Sequence, residues 1–298
     1  MIEKHIVFNL FNTHLTDAIC HTLGYELGNY DIHTFPDEEI RVTVHTPVNN
    51  RKVILMANLD KPNTKMATLM FLSDTLRTLG TSEIGIIAPY LPYMRQDKQF
   101  HPGEGITSQY FATFISRYCN WIITIDPHLH RWHRLDDIFT IHTQSLHATR
   151  LIADWVKKNI KNPVLIGPDQ ESAQWIAEVA KDCEAPYLIV EKNRIGDTNV
   201  SVSLPTLDRY LNRVPVVIDD IISTGITMIE TIKQIQSYQI NLIHCIAIHA
   251  LFAKDAYHEL LKTGVKDIVT CNTVSHITNQ IDISSLIVNA LKARSLAQ

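Results

Sequence analysis

Short apolar segments rich in β-branched residues alternate with longer segments of helical period, and this alternation constrains the fold more than any other feature of the chain. The predicted strands are Ile6–Phe11, Val53–Ala57, Ile84–Ala88, Trp121–Ile125, Val164–Gly167, Tyr187–Val190, Val214–Ile218, Leu242–His249 and Asp267–Thr270. The predicted helices are 64–79, 107–118, 145–159, 170–182, 226–238 and 254–262. Repeated strand–helix units are typical of an α/β fold with a mainly parallel sheet.

The alternation runs twice, with a seam near residues 140–146. We therefore expect an N-terminal domain over 1–143 and a C-terminal domain over 144–282, each of ordinary size. A last helix over 283–298 can pack back on the N-terminal domain. Ligands of parallel sheets bind beyond the carboxyl ends of the strands, so the site residues are expected there, between or beside the domains.

Charge and cysteine usage limit the classes of partner. The formal net charge of −4 gives no electrostatic reason to expect a nucleic-acid or membrane partner. The N-terminal stretch lacks the basic and apolar regions of a signal peptide. The five cysteines are widely spaced and form no C-x-x-C pair. We expect a cytoplasmic protein with reduced, buried thiols.

The most informative stretch is PVVIDDIISTGIT, at residues 215–227. An apolar strand runs into two acids, a short hydroxyl-rich turn follows, and a helix then begins. Hydroxyls and backbone N–H groups at a helix N-terminus suit a phosphate dianion, and adjacent carboxylates can accept hydrogen bonds from sugar hydroxyls. The pattern thus indicates a phosphorylated sugar, with an ordinary helix cap as the alternative. The candidate residues are Asp219, Asp220, Ser223, Thr224, Gly225 and Thr227.

This stretch resembles the phosphoribosyl-pyrophosphate-binding signature of the phosphoribosyltransferase fold. The signature alone does not separate the transferases from the enzyme that makes their substrate. Two further segments, FPDEEIR at 35–41 and PYLPYMRQDK at 89–98, resemble the ATP-binding segments of ribose-phosphate pyrophosphokinases. The resemblance implies that ATP is bound by Phe35, Asp37, Glu39, Arg95, Gln96 and Asp97.

Two strand ends resemble the metal-binding segments of the same family. In IDPHLH, His128 matches the family's ATP- and metal-contacting histidine, and in GPDQE, Asp169 matches an acid near the metal and pyrophosphate. The resemblance therefore implies Mg²⁺ at His128 and Asp169. His130 and His133 lie near His128, but we expect them to be solvated loop residues rather than zinc ligands.

The segment VEKNR resembles the K-x-R of the family's catalytic loop, which implies that Lys192 and Arg194 carry positive charge to the phosphoryl group in transfer. The similar segments occur in the family's order over nearly the whole chain. Taken together they imply two phosphoribosyltransferase-like (type I) domains and transfer of the β,γ-diphosphoryl group of MgATP to the C1 hydroxyl of ribose 5-phosphate. They also imply a homo-oligomer, either a dimer or an assembly of dimers.

Some positions depart from the family's patterns. Glu38 stands where glycine is common, Pro127 replaces leucine, and Ile226 replaces a small residue. Glu171 and Ser172 follow PDQ where glycines are typical. The segments around RQDKQF and DDIISTG resemble the shorter, archaeal-type branch of the family more than the common bacterial one.

Three other functions remain open from the sequence. A phosphoribosyltransferase that consumes the diphosphate would lack the ATP-type segments. A catalytically weak regulatory paralogue would bind nucleotide and partner an active subunit. A pyrophosphokinase with a different acceptor sugar phosphate or nucleotide donor would keep the same chemistry.

Overall fold

The computed structural model describes residues 5–11, 13–195, 199–203 and 207–297, with the side chains at 174, 191–195, 199–203 and 297 outside that description. The chain divides into two compact units. One runs to Leu146 and includes the chain from Ser284 onward, and the other is His147–Ile283. Within these described ranges, no helix has the length and hydropathy needed to cross a bilayer.

The first unit is built on a six-stranded, entirely parallel sheet with the order β2-β1-β5-β6-β7-β8. The strands, with the hairpin β3–β4 outside this sheet, are β1 (Ile6–Leu10), β2 (Glu26–Leu27), β3 (Tyr30–Thr34), β4 (Ile40–Val44), β5 (Lys52–Ala57), β6 (Glu83–Ala88), β7 (Trp121–Ile125) and β8 (His142–Leu146). Its helices are α1 (Leu15–Leu23), α2 (Met66–Thr78) and α3 (Thr107–Tyr118), together with the last helix of the chain, α8 (Ser284–Ala297).

The central strands of this sheet are apolar along their whole length because helices cover both faces. Leu55, Ile86 and Ile122, on three neighbouring strands, have no solvent exposure. Side chains that must be polar are therefore confined to the strand ends and to the loops beyond them. The loops after β6 and β7 are the two that carry predicted site residues.

The helix α8 packs on the first unit at the amino ends of β6 and β7, where Arg294 of α8 contacts Trp121 and Glu83. Gly85 pairs with Trp121 in the sheet register, and a Cβ on Gly85 would lie 1.9 Å from the indole ring. The guanidinium of Arg294 lies 4.4 Å from the centre of the Trp121 ring and donates a 2.9 Å hydrogen bond to Glu83. Partial burial raises the pKa of Glu83. The hydrogen bond and charge of Arg294, with Trp121 and Lys52, outweigh this and hold that pKa below its ordinary value.

Glu83→Gln is expected to lower the free energy of unfolding at neutral pH by about 1–2 kcal/mol, because Arg294 loses a charged acceptor. A lowered folded pKa means that the carboxylate stabilises the protein above its unfolded pKa and loses this effect as the pH falls through the folded pKa. The difference between wild type and variant should therefore shrink below about pH 4.3, the usual pKa of glutamate.

Urea denaturation at pH 7 and in steps down to pH 3 measures this difference. The matched control is Glu178→Gln, which removes an exposed carboxylate from a helix of the other unit and should leave the midpoint unchanged. If the urea midpoint of Glu83→Gln equals that of wild type at pH 7, the pairing of Glu83 with Arg294 does not stabilise the protein.

The hairpin β3–β4 is antiparallel, and its tip is formed by Phe35–Glu39. Phe35 N–H donates to Glu39 O at 2.8 Å, and Glu38 N–H donates to Phe35 O at 2.9 Å. Glu38 has a φ of 70°, the left-handed conformation that favours glycine. The backbone at Glu38 therefore has the left-handed conformation that glycine adopts readily, at the position where the family's pattern has glycine.

Glu38→Gly is expected to raise the free energy of unfolding by about 1 kcal/mol, because a non-glycine residue pays that cost in the left-handed region. Differential scanning calorimetry measures the change. The control is Glu178→Gly, which places glycine inside a regular helix and should lower the free energy of unfolding. Glu104 would not serve as a control, because its side chain accepts two backbone hydrogen bonds. A destabilising Glu38→Gly would show that the Glu38 side chain contributes more than the strain costs.

The second unit repeats the architecture with a six-stranded parallel sheet of order β10-β9-β13-β14-β15-β16. The strands, with the antiparallel hairpin β11–β12 outside this sheet, are β9 (Pro163–Gly167), β10 (Tyr187–Ile189), β11 (Glu191–Ile195), β12 (Asn199–Ser203), β13 (Val214–Ile222), β14 (His244–Ala250), β15 (Asp267–Cys271) and β16 (Asn279–Ile281). Its helices are α4 (Thr149–Asn159), α5 (Ala173–Cys183), α6 (Ile226–Ser237) and α7 (Ala256–Lys262).

The predicted α/β class with mainly parallel sheets is confirmed. Two element predictions need correction. The strand expected to end at Ile218 continues to Ile222, since its backbone stays paired with β14 beyond the two acids. The helix expected from residue 145 begins at Thr149, because residues up to Leu146 pair with β7 as strand β8.

Candidate active site

The first group of predicted site residues lies beyond two neighbouring strands of the first unit. The loop after β6 begins at Pro89 and the loop after β7 at Asp126, and Ile125 N–H donates to Pro89 O at 3.2 Å. Asp126 takes a left-handed φ of 35°, so the chain turns sharply as it leaves β7. The carboxyl ends of parallel neighbours share one edge, which brings the predicted ATP segment at 89–98 near the segment that contains His128.

The loop after β6 is held by apolar anchors that leave its polar residues outside. Leu91 and Met94 are buried in the core of the unit. Gln96 N–H donates to Tyr93 O at 2.9 Å, and Ser108 N–H, at the start of α3, donates to Gln96 O at 3.1 Å. The side chains of Arg95 and Gln96 are consequently exposed at the carboxyl edge of the sheet. They are available to a ligand there.

Asp97 differs from its two neighbours because its side chain is only 3% exposed. Among the described residues, its Oδ2 has no hydrogen-bond partner. The nearest cation comes from the loop after β7, where Arg131 Nη1 lies 3.9 Å from Oδ2; His130 Nδ1 lies 4.0 Å from the same oxygen. Asp97 therefore faces the protein interior rather than solvent.

The loop after β7 contains the predicted His128 and two further histidines. His128 is half-buried three residues after the strand ends. His130 is exposed on this loop, and its Nδ1 accepts a 2.8 Å hydrogen bond from Arg131 Nη1, because a guanidinium can only donate. His133 is exposed as well, and its N–H donates to Asp137 Oδ2 at 2.9 Å.

The hairpin tip presents the other predicted ATP residues. Phe35, Asp37 and Glu39 are all exposed. The Phe35 ring is 38% exposed and meets the His33 ring edge-on, with 4.6 Å between centroids. Asp37 Oδ1 accepts a 3.3 Å hydrogen bond from Glu39 N–H, which steadies the turn. An exposed aromatic ring beside two carboxylates can stack on a base and accept hydrogen bonds from a ribose.

The second group of predicted residues lies in the second unit, at the carboxyl end of β13. Gly225 has a φ of 71° and is the N-cap of α6, so the turn Ser223–Gly225 leads directly into the helix. Ala253 N–H donates to Ser223 O at 2.9 Å and holds this turn against the loop after β14. Thr224 is exposed, and Ser223 and Thr227 are half-buried. Backbone N–H groups and hydroxyls therefore converge at a helix N-terminus, as the sequence predicted.

Ile226, one of the departures from the family pattern, begins α6 with a side chain that is 58% exposed. Its bulk points away from the packed face of the helix, so it is compatible with the turn. Gly225 has room as well, because a Cβ there would come no closer than 3.7 Å to other atoms. Its requirement for glycine is therefore conformational rather than steric.

Asp169, Asp219 and Asp220 form an electrostatically coupled acid cluster. Partial burial first, and then the charges of Asp220 and Asp169, raise the pKa of Asp219 well above its ordinary value. Asp219 Oδ1 accepts a 2.9 Å hydrogen bond from Asp220 N–H, and Asp169 Oδ1 accepts one of 3.1 Å from Ser172 N–H. The neighbouring carboxylates therefore oppose ionisation of Asp219, and a bound cation would favour its ionised form.

The cluster does not form a closed metal cage. In the described parts of the chain, no three His, Cys, Asp or Glu residues come close enough to hold an ion together. Mg²⁺ keeps several waters and commonly binds one or two carboxylates plus substrate phosphates, so an open acid cluster suits it. These residues therefore fit a hydrated divalent cation that binds together with a phosphorylated ligand.

Lys192 and Arg194 lie on β11, where they pair in register with Val202 and Val200 of β12. The side chains of Lys192 and Arg194 fall outside the described residues. Their predicted role therefore stays a prediction from the sequence.

The structure places the predicted residues with described side chains in three groups, one of which is Phe35, Asp37 and Glu39 at the tip of the hairpin β3–β4. Arg95, Gln96 and His128 share the edge beyond β6 and β7, and the acids and the turn before α6 share the edge of the other sheet. The sequence did not single out Arg131 and Trp132, although Trp132 Nε1 donates to Ser108 Oγ at 3.2 Å. Their only signal was alternation of basic and aromatic residues in the loop after β7.

Family comparisons cover both units. Residues 6–118 match the N-terminal domain of ribose phosphate pyrophosphokinase, and residues 135–286 match the phosphoribosyl transferase domain. A ribose-phosphate pyrophosphokinase of Sulfurisphaera tokodaii is 30% identical over 255 residues, which is 84% of this chain and 86% of the relative. One of Saccharolobus solfataricus is 28% identical over 287 residues, 95% and 96% of the two chains.

Solved structures support the fold. The phosphoribosylpyrophosphate synthetase from Mycobacterium smegmatis superposes with a TM-score of 0.87 over 99% of this chain and all of that one, at 18% sequence identity. At this identity the structural similarity is evidence for the fold alone. The similarity confirms the prediction of two phosphoribosyltransferase-like domains. The similar archaeal sequences confirm the resemblance that the sequence motifs indicated.

Proposed function

Since the chain belongs to the ribose-phosphate pyrophosphokinase family, we infer that it is an enzyme that makes 5-phosphoribosyl 1-pyrophosphate. We propose that it does so by transferring the β,γ-diphosphoryl group of MgATP to the C1 hydroxyl of ribose 5-phosphate, releasing AMP. The observation that supports this reaction is the arrangement of nucleotide-type residues at the carboxyl edge of one sheet and of a sugar-phosphate turn at the carboxyl edge of the other.

The nucleotide is held by residues of the first unit. Phe35 stacks on the base, while Asp37 and Glu39 accept hydrogen bonds from the base and ribose. Arg95 presents a planar fork to the phosphate oxygens, and Gln96 binds polar groups of the nucleotide. His128 lies on the same edge and orients the hydrated metal that accompanies ATP.

The sugar phosphate is held by residues of the second unit. Ser223, Thr224, Gly225 and Thr227 bind the 5-phosphate through hydroxyls and through N–H groups at the N-terminus of α6. Asp219 and Asp220 then accept hydrogen bonds from the ribose hydroxyls. Because the C1 hydroxyl lies on the same ring, these acids also fix its direction of attack.

Asp169, with Asp219 and Asp220 nearby, would hold a hydrated Mg²⁺, which would supply positive charge to the diphosphate. Lys192 and Arg194 stabilise the negative charge on the transferring group. We assign no general base among the described side chains, and the proton of the C1 hydroxyl passes to water. We further propose that the protein works as a homo-oligomer, either a dimer or an assembly of dimers.

Anion-exchange chromatography of the nucleotides tests the reaction. AMP should accumulate only when ATP, ribose 5-phosphate and Mg²⁺ are all present, and ADP should not form. AMP production that is faster with another sugar phosphate would identify a different acceptor. Binding of MgATP without any product would favour the regulatory paralogue instead.

A further inference from the structure

Resting on the proposed function, we propose that Arg131 is a further ligand of the nucleotide's phosphate groups, and that Asp97 is the positioning residue that holds its guanidinium in place. Neither role follows from the resemblance, which implies that Asp97 itself touches ATP. The proposal begins with the burial of Asp97.

A carboxylate that is 3% exposed and makes no hydrogen bond through Oδ2 is costly unless a cation compensates it. Arg131 Nη1, at 3.9 Å from Oδ2, is the compensating cation, because His130 Nδ1 accepts a hydrogen bond from Arg131 and so carries no proton. Since arginine stays charged in proteins, Arg131 is the permanent partner. Asp97 therefore acts on Arg131 and cannot reach a nucleotide while it stays buried.

Two neighbouring side chains contact Nη1 of Arg131. Asp97 Oδ2 lies 3.9 Å from it, and His130 Nδ1 accepts a 2.8 Å hydrogen bond from it. The next residue, Trp132, donates to Ser108 Oγ, and Ser108 N–H donates to Gln96 O, so the two loops are tied together. A side chain fixed in this way loses little conformational entropy when it binds a ligand.

Arg131 also has a surface open to a ligand. Its side chain is 37% exposed, and it follows His128 by three residues on the loop beyond β7. Arg95 is exposed on the adjoining loop beyond β6. Two guanidinium groups on adjoining loops of one sheet edge match a polyphosphate, because each can donate two parallel hydrogen bonds to phosphate oxygens.

Isothermal titration calorimetry of the full chain with MgATP, without ribose 5-phosphate, tests the proposal. Arg131→Ala should raise the Kd about 10- to 100-fold, as expected for loss of charge-assisted hydrogen bonds. Arg131→Lys should recover part of the affinity, because it keeps the charge but not the fork. The matched control is Arg134→Ala, which removes a 74% exposed cation from the same loop and should leave the Kd within twofold of wild type.

Asp97→Asn should raise the Kd less than Arg131→Ala, by about 3- to 10-fold, and the double variant should bind no more weakly than Arg131→Ala alone. This non-additivity separates a positioning role from a merely structural one, for which the two effects would add. If Asp97→Asn fails to fold, the partly exposed Arg131 variants still decide whether Arg131 binds phosphate.

The proposal is overturned if Arg131→Ala binds MgATP within twofold of wild type, or no differently from Arg134→Ala. Its failure is distinguishable from failure of the proposed function. Wild type that binds MgATP but yields no AMP with ribose 5-phosphate contradicts the reaction, while the Kd values still decide the role of Arg131. Wild type that yields AMP with an unaffected Arg131→Ala contradicts only the role of Arg131.

Discussion

Lys192→Ala is expected to lower kcat by about 10³-fold or more while MgATP and ribose 5-phosphate still bind. Diphosphoryl transfer needs little covalent help from the protein, so most of the catalysis comes from positioning and from charge placed on the transferring group. Removing a cation that acts on that group should therefore reduce kcat far more than it weakens ground-state binding. Steady-state kinetics at saturating substrates, with separate KM values, measure this split.

Lys158→Ala is the matched control, because it removes an exposed lysine from the helix α4 of the same unit and should leave kcat unchanged. Arg194→Ala should also lower kcat, since both cations are expected to act on the negative charge of the transferring group. A Lys192→Ala enzyme with a near-normal kcat but a greatly raised KM would mean that Lys192 binds substrate rather than the transferring group.

Asp219→Asn is expected to lower kcat/KM by about 10²-fold and yet to stabilise the ligand-free protein. The activity falls because the sugar hydroxyls and the metal lose a charged acceptor. The stability rises because the ionised Asp219 is disfavoured by partial burial and by the charges of Asp220 and Asp169, which together raise its pKa. The asparagine Oδ1 can still accept the hydrogen bond from Asp220 N–H, so little is lost.

Calorimetric melting of the ligand-free protein at neutral pH measures the second effect. A gain of about 1 kcal/mol corresponds to a rise of roughly 2–4 °C in Tm for a domain of this size. Asp182→Asn, an exposed acid on α5, is the control and should change neither Tm nor activity. A lower Tm for Asp219→Asn would show that the carboxylate is already compensated without a ligand.

Much of the fold could be predicted because parallel strands covered on both faces are apolar along their length. The helix predicted at 107–118 occurs at those residues, since its apolar stripe and the following strand leave little freedom. The hairpin β3–β4 was missed because its strands are largely exposed and its tip lacks the glycine that marks such turns. The short α1 was missed as well, because nine residues carry little periodic signal.

The candidate site was predictable where chemistry follows a strand within a few residues. The turn before α6 is such a case, because an apolar run, two acids and a helix start are all visible in the sequence. The pairing of Asp97 with Arg131 was not predictable, because it joins two loops that meet only when β6 and β7 lie side by side. The extension of β13 through Asp219 and Asp220 likewise depends on pairing with β14 rather than on local preference.

³¹P NMR of the purified protein with ATP, ribose 5-phosphate and Mg²⁺ tests the diphosphoryl transfer most directly. If the transfer occurs, the three ATP resonances are replaced by the single resonance of AMP and by the coupled pair of a diphosphate attached to the sugar C1. Resonances of ADP and a sugar bisphosphate, or a spectrum that stays unchanged after long incubation with the protein, would contradict this reaction.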